Sequence, residues 1–94
     1  MSMNTLSQKT PSELNSLLAH RISDIRKRRK LSQKALSIKS GVSLGSLKRF
    51  EQTGDISLIS FSKLAIALEL DSELENLFTN IPFQSIEEII NGQR

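Results

Sequence analysis

Between Leu31 and Glu51 the chain reads LSQKALSIKSGVSLGSLKRFE, two short stretches of helical periodicity joined at one glycine, Gly41. Ser32 stands where a helix N-cap is expected, and Gln33 to Lys39 then form a short helix that turns Ala35, Leu36 and Ile38 inward. Gly41 follows where a helix end takes a positive φ, which glycine adopts without steric cost. Val42 fills the turn from inside. Ser43 then caps a further helix, from Leu44 to about Gln52, that buries Leu47 and Phe50. Thr53, Gly54 and Asp55 close it as a turn, and the small side chain of Ala35 lets the two helices cross closely. One reading is an ordinary hairpin of two helices inside a helical domain. The other is a helix-turn-helix, whose second helix is presented to the major groove of DNA.

The flanking segments are helical as well. Residues 1–11 are polar, close with Thr10 and Pro11, and read as a flexible N-terminal arm. Ser12 is placed to cap a first helix running to about Lys30, with Leu14, Leu17, Leu18, Ile22 and Ile25 on one stripe. Four successive basic residues, Lys27 to Lys30, sit at its C-terminal end, where cations complement the helix dipole. Ser60 caps a fourth helix carrying Phe61, Leu64, Ala65 and Leu68. Asp71 or Ser72 caps a fifth, with Leu74, Leu77 and Phe78 on one side. Pro82 breaks the chain, and Ser85 with Glu88 forms a capping box that opens a short helix through Ile90. No stretch alternates with period two for long enough to make a strand. The expected fold class is all-α, with a domain over residues 12–80 and a short C-terminal helical extension over 81–94.

Ninety-four residues make one domain with a modest core. The lack of cysteine removes disulfides and thiolate metal sites and fits a reducing cytoplasm. No apolar run approaches the ~20 residues of a membrane span, and the polar start from Met1 to Lys9 has no signal-peptide core. A cytoplasmic protein, associated with the nucleoid through DNA, is expected. The net charge of +3 hides an asymmetry. Residues 1–50 carry eleven Lys/Arg against Glu13 and Asp24, a balance of +9, whereas residues 51–94 carry Lys63 and Arg94 against eight acids, a balance of −6. A cationic half beside an anionic half points to one face for a polyanion and another for a different contact. By itself, Lys27 to Lys30 reads equally well as a solvated helix end.

Catalysis finds no footing. His20 is the only histidine, and no nucleophile elbow accompanies it to build a Ser-His-acid set. Asp71, Glu73 and Glu75 alternate like a calcium loop but lack its glycine and distal Glu, so they read as a solvated acidic face. Neither a metal nor a cofactor is expected.

On the helix that opens at Leu44, about 100° per residue puts Leu47, Phe50 and Glu51 on one arc. Gly45, Ser46 and Arg49 fall on the opposite arc, with Lys48 on its flank. Small residues around one long guanidinium can enter a groove, and Arg49 can donate two hydrogen bonds to guanine O6 and N7. Leu44 reads either as a contact for a thymine methyl or as part of the core.

From about Arg21 to Leu70 the chain resembles the lambda repressor/Cro-type family, also called the XRE family. The family opening Leu-Ser-Gln-x-x-Leu-(Ala/Ser)-x-x-x-Gly-Val-Ser is matched at Leu31, Ser32, Gln33, Leu36, Ser37, Gly41, Val42 and Ser43, and Glu51 falls near the end of the recognition helix. At that spacing the plain hairpin reading gives way. The resemblance implies a five-helix lambda repressor-like domain that binds double-stranded DNA. It implies that Gln33 bonds a phosphate and braces the recognition helix, that Leu44, Gly45 and Arg49 face bases, and that Ser43 and Ser46 contact phosphate or base edges. It also implies a largely buried ion pair between Arg26 and Glu51. The chain departs from the pattern in two places. Leu44 and Gly45 offer no side-chain hydrogen bond, and the usual Glu-x-Gly ending is lengthened to Glu51, Gln52, Thr53, Gly54.

Five helices complete that family core, yet Ile81, Phe83, Ile86, Ile89 and Ile90 remain, just after Leu77 and Phe78. This is more apolar surface than a small monomer leaves in water, so the extension folds back, builds a homodimer or meets a partner protein. The ending from Leu77 through Pro82 to Ile89 is also similar to HipB-type antitoxins, which are encoded beside HipA-like kinase toxins. The expected function is a transcriptional repressor that binds a palindromic operator of its own operon as a dimer. The alternatives are a HipB-like antitoxin that also holds a HipA-like kinase toxin, and an adaptor that binds no DNA.

Overall fold

The computed structural model describes residues 8–80, whose only regular elements are helices, with no strand among the described residues. The first helix, α1, spans Pro11–Arg28. Thr10, rather than Ser12, is its N-cap: Thr10 Oγ1 accepts the Glu13 N–H at 3.1 Å while Glu13 Oε1 accepts the Thr10 N–H at 2.8 Å. The reciprocal box satisfies two otherwise orphaned donors. Pro11, just inside the start, has no N–H to satisfy and a φ already suited to the first turn. The expected arm over 1–11 therefore loses its last residues to the helix and its cap; residues 1–7 lie outside the described residues. At the other end α1 stops at Arg28, short of Lys30, because Lys30 takes a left-handed φ of 60° and turns the chain toward Leu31.

Three helices of similar size follow: α2 at Gln33–Ser40, α3 at Leu44–Thr53 and α4 at Leu58–Ala67. Ser32 and Ser43 cap α2 and α3 as expected, each accepting the N–H three residues on. The cap of α4 is Ser57, and Ser60 is instead the residue whose N–H it accepts, at 3.1 Å. The last described helix, α5, is a single turn at Asp71–Glu75 without a side-chain cap. No described helix is long and apolar enough to cross a membrane.

The core is assembled from Ala19 and Ile22 of α1, Leu36 of α2, Val42 of the turn, Leu47 and Phe50 of α3, and Leu64, Ala67 and Leu68 at α4 and its end. Phe50 meets Phe61 edge to face, with ring centroids 5.9 Å apart, an arrangement that aromatic quadrupoles favour. Helix α1 packs on α3, α2 packs on both α3 and α4, and α5 packs on α4. Ile38, expected inside, is 75% exposed. It lies about 200° around α2 from Leu36, which is fully buried, and a helix of this length has one buried stripe. Leu14 and Leu18 are half exposed, because Ala19 and Ile22 make the tight contact of α1.

Two glycines end helices in the left-handed region, Gly41 at φ 78° and Gly54 at φ 82°. Their surroundings differ. A Cβ on Gly41 would meet nothing within 4 Å, whereas one on Gly54 would fall 2.8 Å from the backbone carbon of Asn15 and 2.9 Å from the nitrogen of Ser16. The end of α3 thus lies against the backbone of α1.

Candidate nucleic-acid interface

The geometry of α3 is set from three directions. Behind it, Arg26 Nε and Nη2 donate to Glu51 Oε2 and Oε1 at 2.8 and 3.0 Å, and Arg26 Nη1 donates to the carbonyl of Leu31 at 2.8 Å. The two charged side chains are only 9% and 8% exposed. Gln33 Nε2 adds a third bond to the same carboxylate, to Oε1 at 3.0 Å. One carboxylate therefore joins α1, α2 and α3. Burial pushes the Glu51 carboxyl up, but the bonds from Arg26 and Gln33, with the Arg26 charge, outweigh it and hold the group below its ordinary range.

The turn before α3 is stitched by Ser37 and Ser40. Ser37 Oγ donates to the Val42 carbonyl at 2.6 Å, Ser40 Oγ accepts the Val42 N–H at 3.1 Å, and the Gly41 N–H reaches the Ser37 carbonyl at 2.9 Å. Val42 is buried beneath them. With its polar groups matched inside the turn, the angle between α2 and α3 is fixed. The third constraint is the close approach of Gly54 to α1.

On the outer side the residues singled out from sequence are brought onto one helix. Gly45, Ser46, Lys48 and Arg49 are exposed, Leu44 is half-buried, and nothing stands within 4 Å of the Cβ position of Gly45. Ser43 Oγ accepts the Ser46 N–H at 3.1 Å and donates to Ser46 Oγ at 2.9 Å, so both hydroxyls are gathered at the helix start. Low relief broken by one guanidinium is the result. Lys27 to Lys30, Lys34 and Lys39 are all exposed as well.

An ion pair on this side follows from no helical spacing. Arg49 Nη2 lies 2.9 Å from Asp55 Oδ2, with the side chains 71% and 65% exposed. The pair borders a cleft of about 250 Å³ whose other walls are Ser46, Ile56, Ser57 and Ser60. Asp55 comes back to Arg49 only because Gly54 reverses the chain, so no helical period relates them. The available signal was the glycine followed at once by an acid.

Across the 55–57 loop, with Ile56 lining both sides, a second cavity of about 260 Å³ is apolar, bounded by Leu18, Phe50, Phe61, Leu74 and Leu77 among others. Leu77 and Phe78 are 53% and 86% exposed. The other residues assigned to a dimer or partner surface, Ile81, Phe83, Ile86, Ile89 and Ile90, lie outside the described residues, as does the Ser85 capping box. His20 sits at the surface, 3.8 Å from Asp24, and among the described residues no three acids, histidines or cysteines come together as metal ligands. Compared with family models, curated proteins and solved structures, the chain matches none.

Proposed function

We propose that this chain is a sequence-specific, double-stranded DNA-binding protein with a lambda repressor-like domain, acting as a transcriptional repressor. One observation carries the reading: α3 is locked from behind by a buried carboxylate while its outer arc is open, of low relief and armed with Arg49. A helix with its side chains is about 10–12 Å across and the major groove about 12 Å wide, so small residues at Gly45 and Ser46 let it seat deeply.

In this reading α3 lies in the major groove. Arg49 donates to guanine O6 and N7, Leu44 touches a thymine methyl, and Ser43 and Ser46 bond phosphate or base edges. Gln33 gives one amide N–H to Glu51, and its second N–H is available for a phosphate. Lys48 and the exposed cations of the first half neutralise further phosphates. Two copies place their recognition helices about 34 Å apart on a palindrome and block transcription there. The dimer contact falls to the acidic half, around Leu77, Phe78 and the apolar residues that follow. The same exposed surface favours a second reading, an antitoxin that also holds a HipA-like kinase toxin.

The test compares Arg49→Ala with Gln33→Ala on a duplex selected from a random pool by the wild type. Arg49→Ala should lose about 1–3 kcal/mol on the selected duplex and less on random DNA. Gln33→Ala should weaken both alike. Equal losses for Arg49→Ala assign it to phosphate, and no duplex binding by the wild type at low salt rejects the reading.

A further inference from the structure

We propose that Asp55 is a positioning residue that makes Arg49 a base reader rather than a phosphate clamp; the assignment rests on the DNA-binding reading above. Two hydrogen bonds and one ion pair close a ring around the end of α3. Thr53 Oγ1 donates to the Arg49 carbonyl at 2.7 Å, the Asp55 N–H donates back to Thr53 Oγ1 at 3.1 Å, and Arg49 Nη2 lies 2.9 Å from Asp55 Oδ2 as an ion pair. The carboxylate that holds the guanidinium is thus tied to the same residue's backbone. Gly54, wedged against Asn15 and Ser16, fixes where the loop departs. The hydroxyl at the centre of the ring belongs to Thr53, in the lengthened stretch between Glu51 and Gly54.

Two consequences follow from the chemistry. An exposed arginine samples many rotamers, and tethering one corner of its planar fork removes much of that freedom before DNA arrives. A guanidinium has five N–H donors, so an ion pair at the Nη2 corner leaves an adjacent pair for guanine O6 and N7. The second consequence is electrostatic. A phosphate that reached for Arg49 would also meet the Asp55 carboxylate, whereas the guanine edge is neutral. Like charge therefore penalises the sequence-blind contact more than the base contact, and discrimination rises through what is repelled. The cleft beside the pair offers only Ser46, Ser57, Ser60 and Ile56, and Arg49 is the one cation lining it among the described residues.

The full chain carrying Asp55→Asn is measured by fluorescence anisotropy on a duplex selected by the wild type and on a random duplex of equal length. Binding to the random duplex should tighten about threefold, and the selected-to-random ratio should fall about fivefold, a size in keeping with an exposed ion pair. The lost discrimination should concentrate at one guanine per half-site. Thr53→Val should act in the same direction, and in an Arg49→Ala background Asp55→Asn should leave the ratio unchanged. In the free protein, the heteronuclear NOE of the Arg49 Nε–H should fall in Asp55→Asn. An unchanged ratio, an unchanged NOE, or a ratio change that survives Arg49→Ala would overturn the assignment. So would a parallel loss on both duplexes with a lowered melting temperature, which would make Asp55 a loop stiffener. Absence of duplex binding by the wild type rejects the DNA-binding reading and the assignment with it, and is seen before any variant is compared.

Discussion

Replacing Glu51 by Leu should cost this domain about 3–5 kcal/mol, most of it through what the change leaves behind. The Arg26 guanidinium, 9% exposed, would keep only its bond to the Leu31 carbonyl and lose the two at 2.8 and 3.0 Å to the carboxylate. Hydrogen bonds to a charged group contribute about 1.5–3 kcal/mol each, net of solvent exchange. Two of them lost together come to about 3–6 kcal/mol, close to that range, and Gln33, only half-buried, recovers part of its own loss by turning to water. A melting point falls about 4–8 °C per kcal/mol for a domain of this size, so the variant should melt about 12–40 °C below the wild type. Arg26→Met should do comparable damage. The double variant should recover at least about 2 kcal/mol of the summed losses, because no charge is then stranded. Urea unfolding followed by far-UV circular dichroism at pH 7 measures all four corners. Acid adds a second reading of the same bond. The folded-state pKa of Glu51 lies below its ordinary 4.5. Its contribution is therefore fully present above about that pH and is lost as pH falls through the folded value. The gap between wild type and Glu51→Leu should be flat from pH 7 to about 4.5 and narrow below it. Single-variant losses under about 1 kcal/mol, or a double loss equal to their sum, would refute the account of the pair.

Gly41→Ala should cost about 1–2 kcal/mol, for left-handed backbone alone, and Gly54→Ala about 3 kcal/mol or more, since α1 must also move; equal costs in chemical denaturation would contradict the close approach to Asn15 and Ser16. DNA affinity should fall steeply with salt: with about four phosphates neutralised per protomer, a dimer should show a log–log slope near −7, and a slope flatter than about −2 would mean that the basic half does not line the interface. Cutting the chain after Asn80 should leave a folded domain that sediments more as monomer and binds a palindrome more weakly, and Ile86→Asp should imitate it; a truncated chain that fails to fold would place the extension in the core instead.

What the sequence conveyed and what it withheld divide along physical lines. Ser32, Gly41, Ser43, Leu36, Leu47 and Phe50 were legible because each answers a local demand: a cap, a positive φ, or a fixed spacing along one helix. The start of α1 was misplaced by two residues because Thr10 and Ser12 are both good caps, and what decides between them is the reach of Glu13 back to the Thr10 N–H. The same ambiguity moved the cap of α4 from Ser60 to Ser57. Ile38 was misassigned because a helix of two turns gives too short a pattern to tell one buried residue from two. The Arg26–Glu51 pair spans twenty-five residues, a separation that no local pattern encodes, and it entered through family resemblance alone. For Asp55 the only local cue was a turn glycine followed at once by an acid. Its partner is defined by the reversal at Gly54 and by the Thr53 hydroxyl, and only three-dimensional placement joins them.

The arrangement of α3 separates what holds the helix from what the helix offers. Leu47, Phe50 and the Glu51 carboxylate face inward, and each is engaged by residues of other elements. Gly45, Ser46, Lys48 and Arg49 face outward and take no part in the core. The core therefore restrains their identity only through helix propensity and solubility, terms worth a few tenths of a kcal/mol at most surface positions. If α3 reads DNA as proposed, this independence lets its outer residues change with the target, because residues that also filled the core would link every new preference to a loss of stability. Arg49 is the partial exception. Its ring with Thr53 and Asp55 ties one outward residue to the loop that follows, yet every member of that ring is exposed, so it can be remade without disturbing the packing beneath it. Stability resides in the buried carboxylate and the glycine wedge, and under the proposed function preference would reside in the outer arc and the loop beside it.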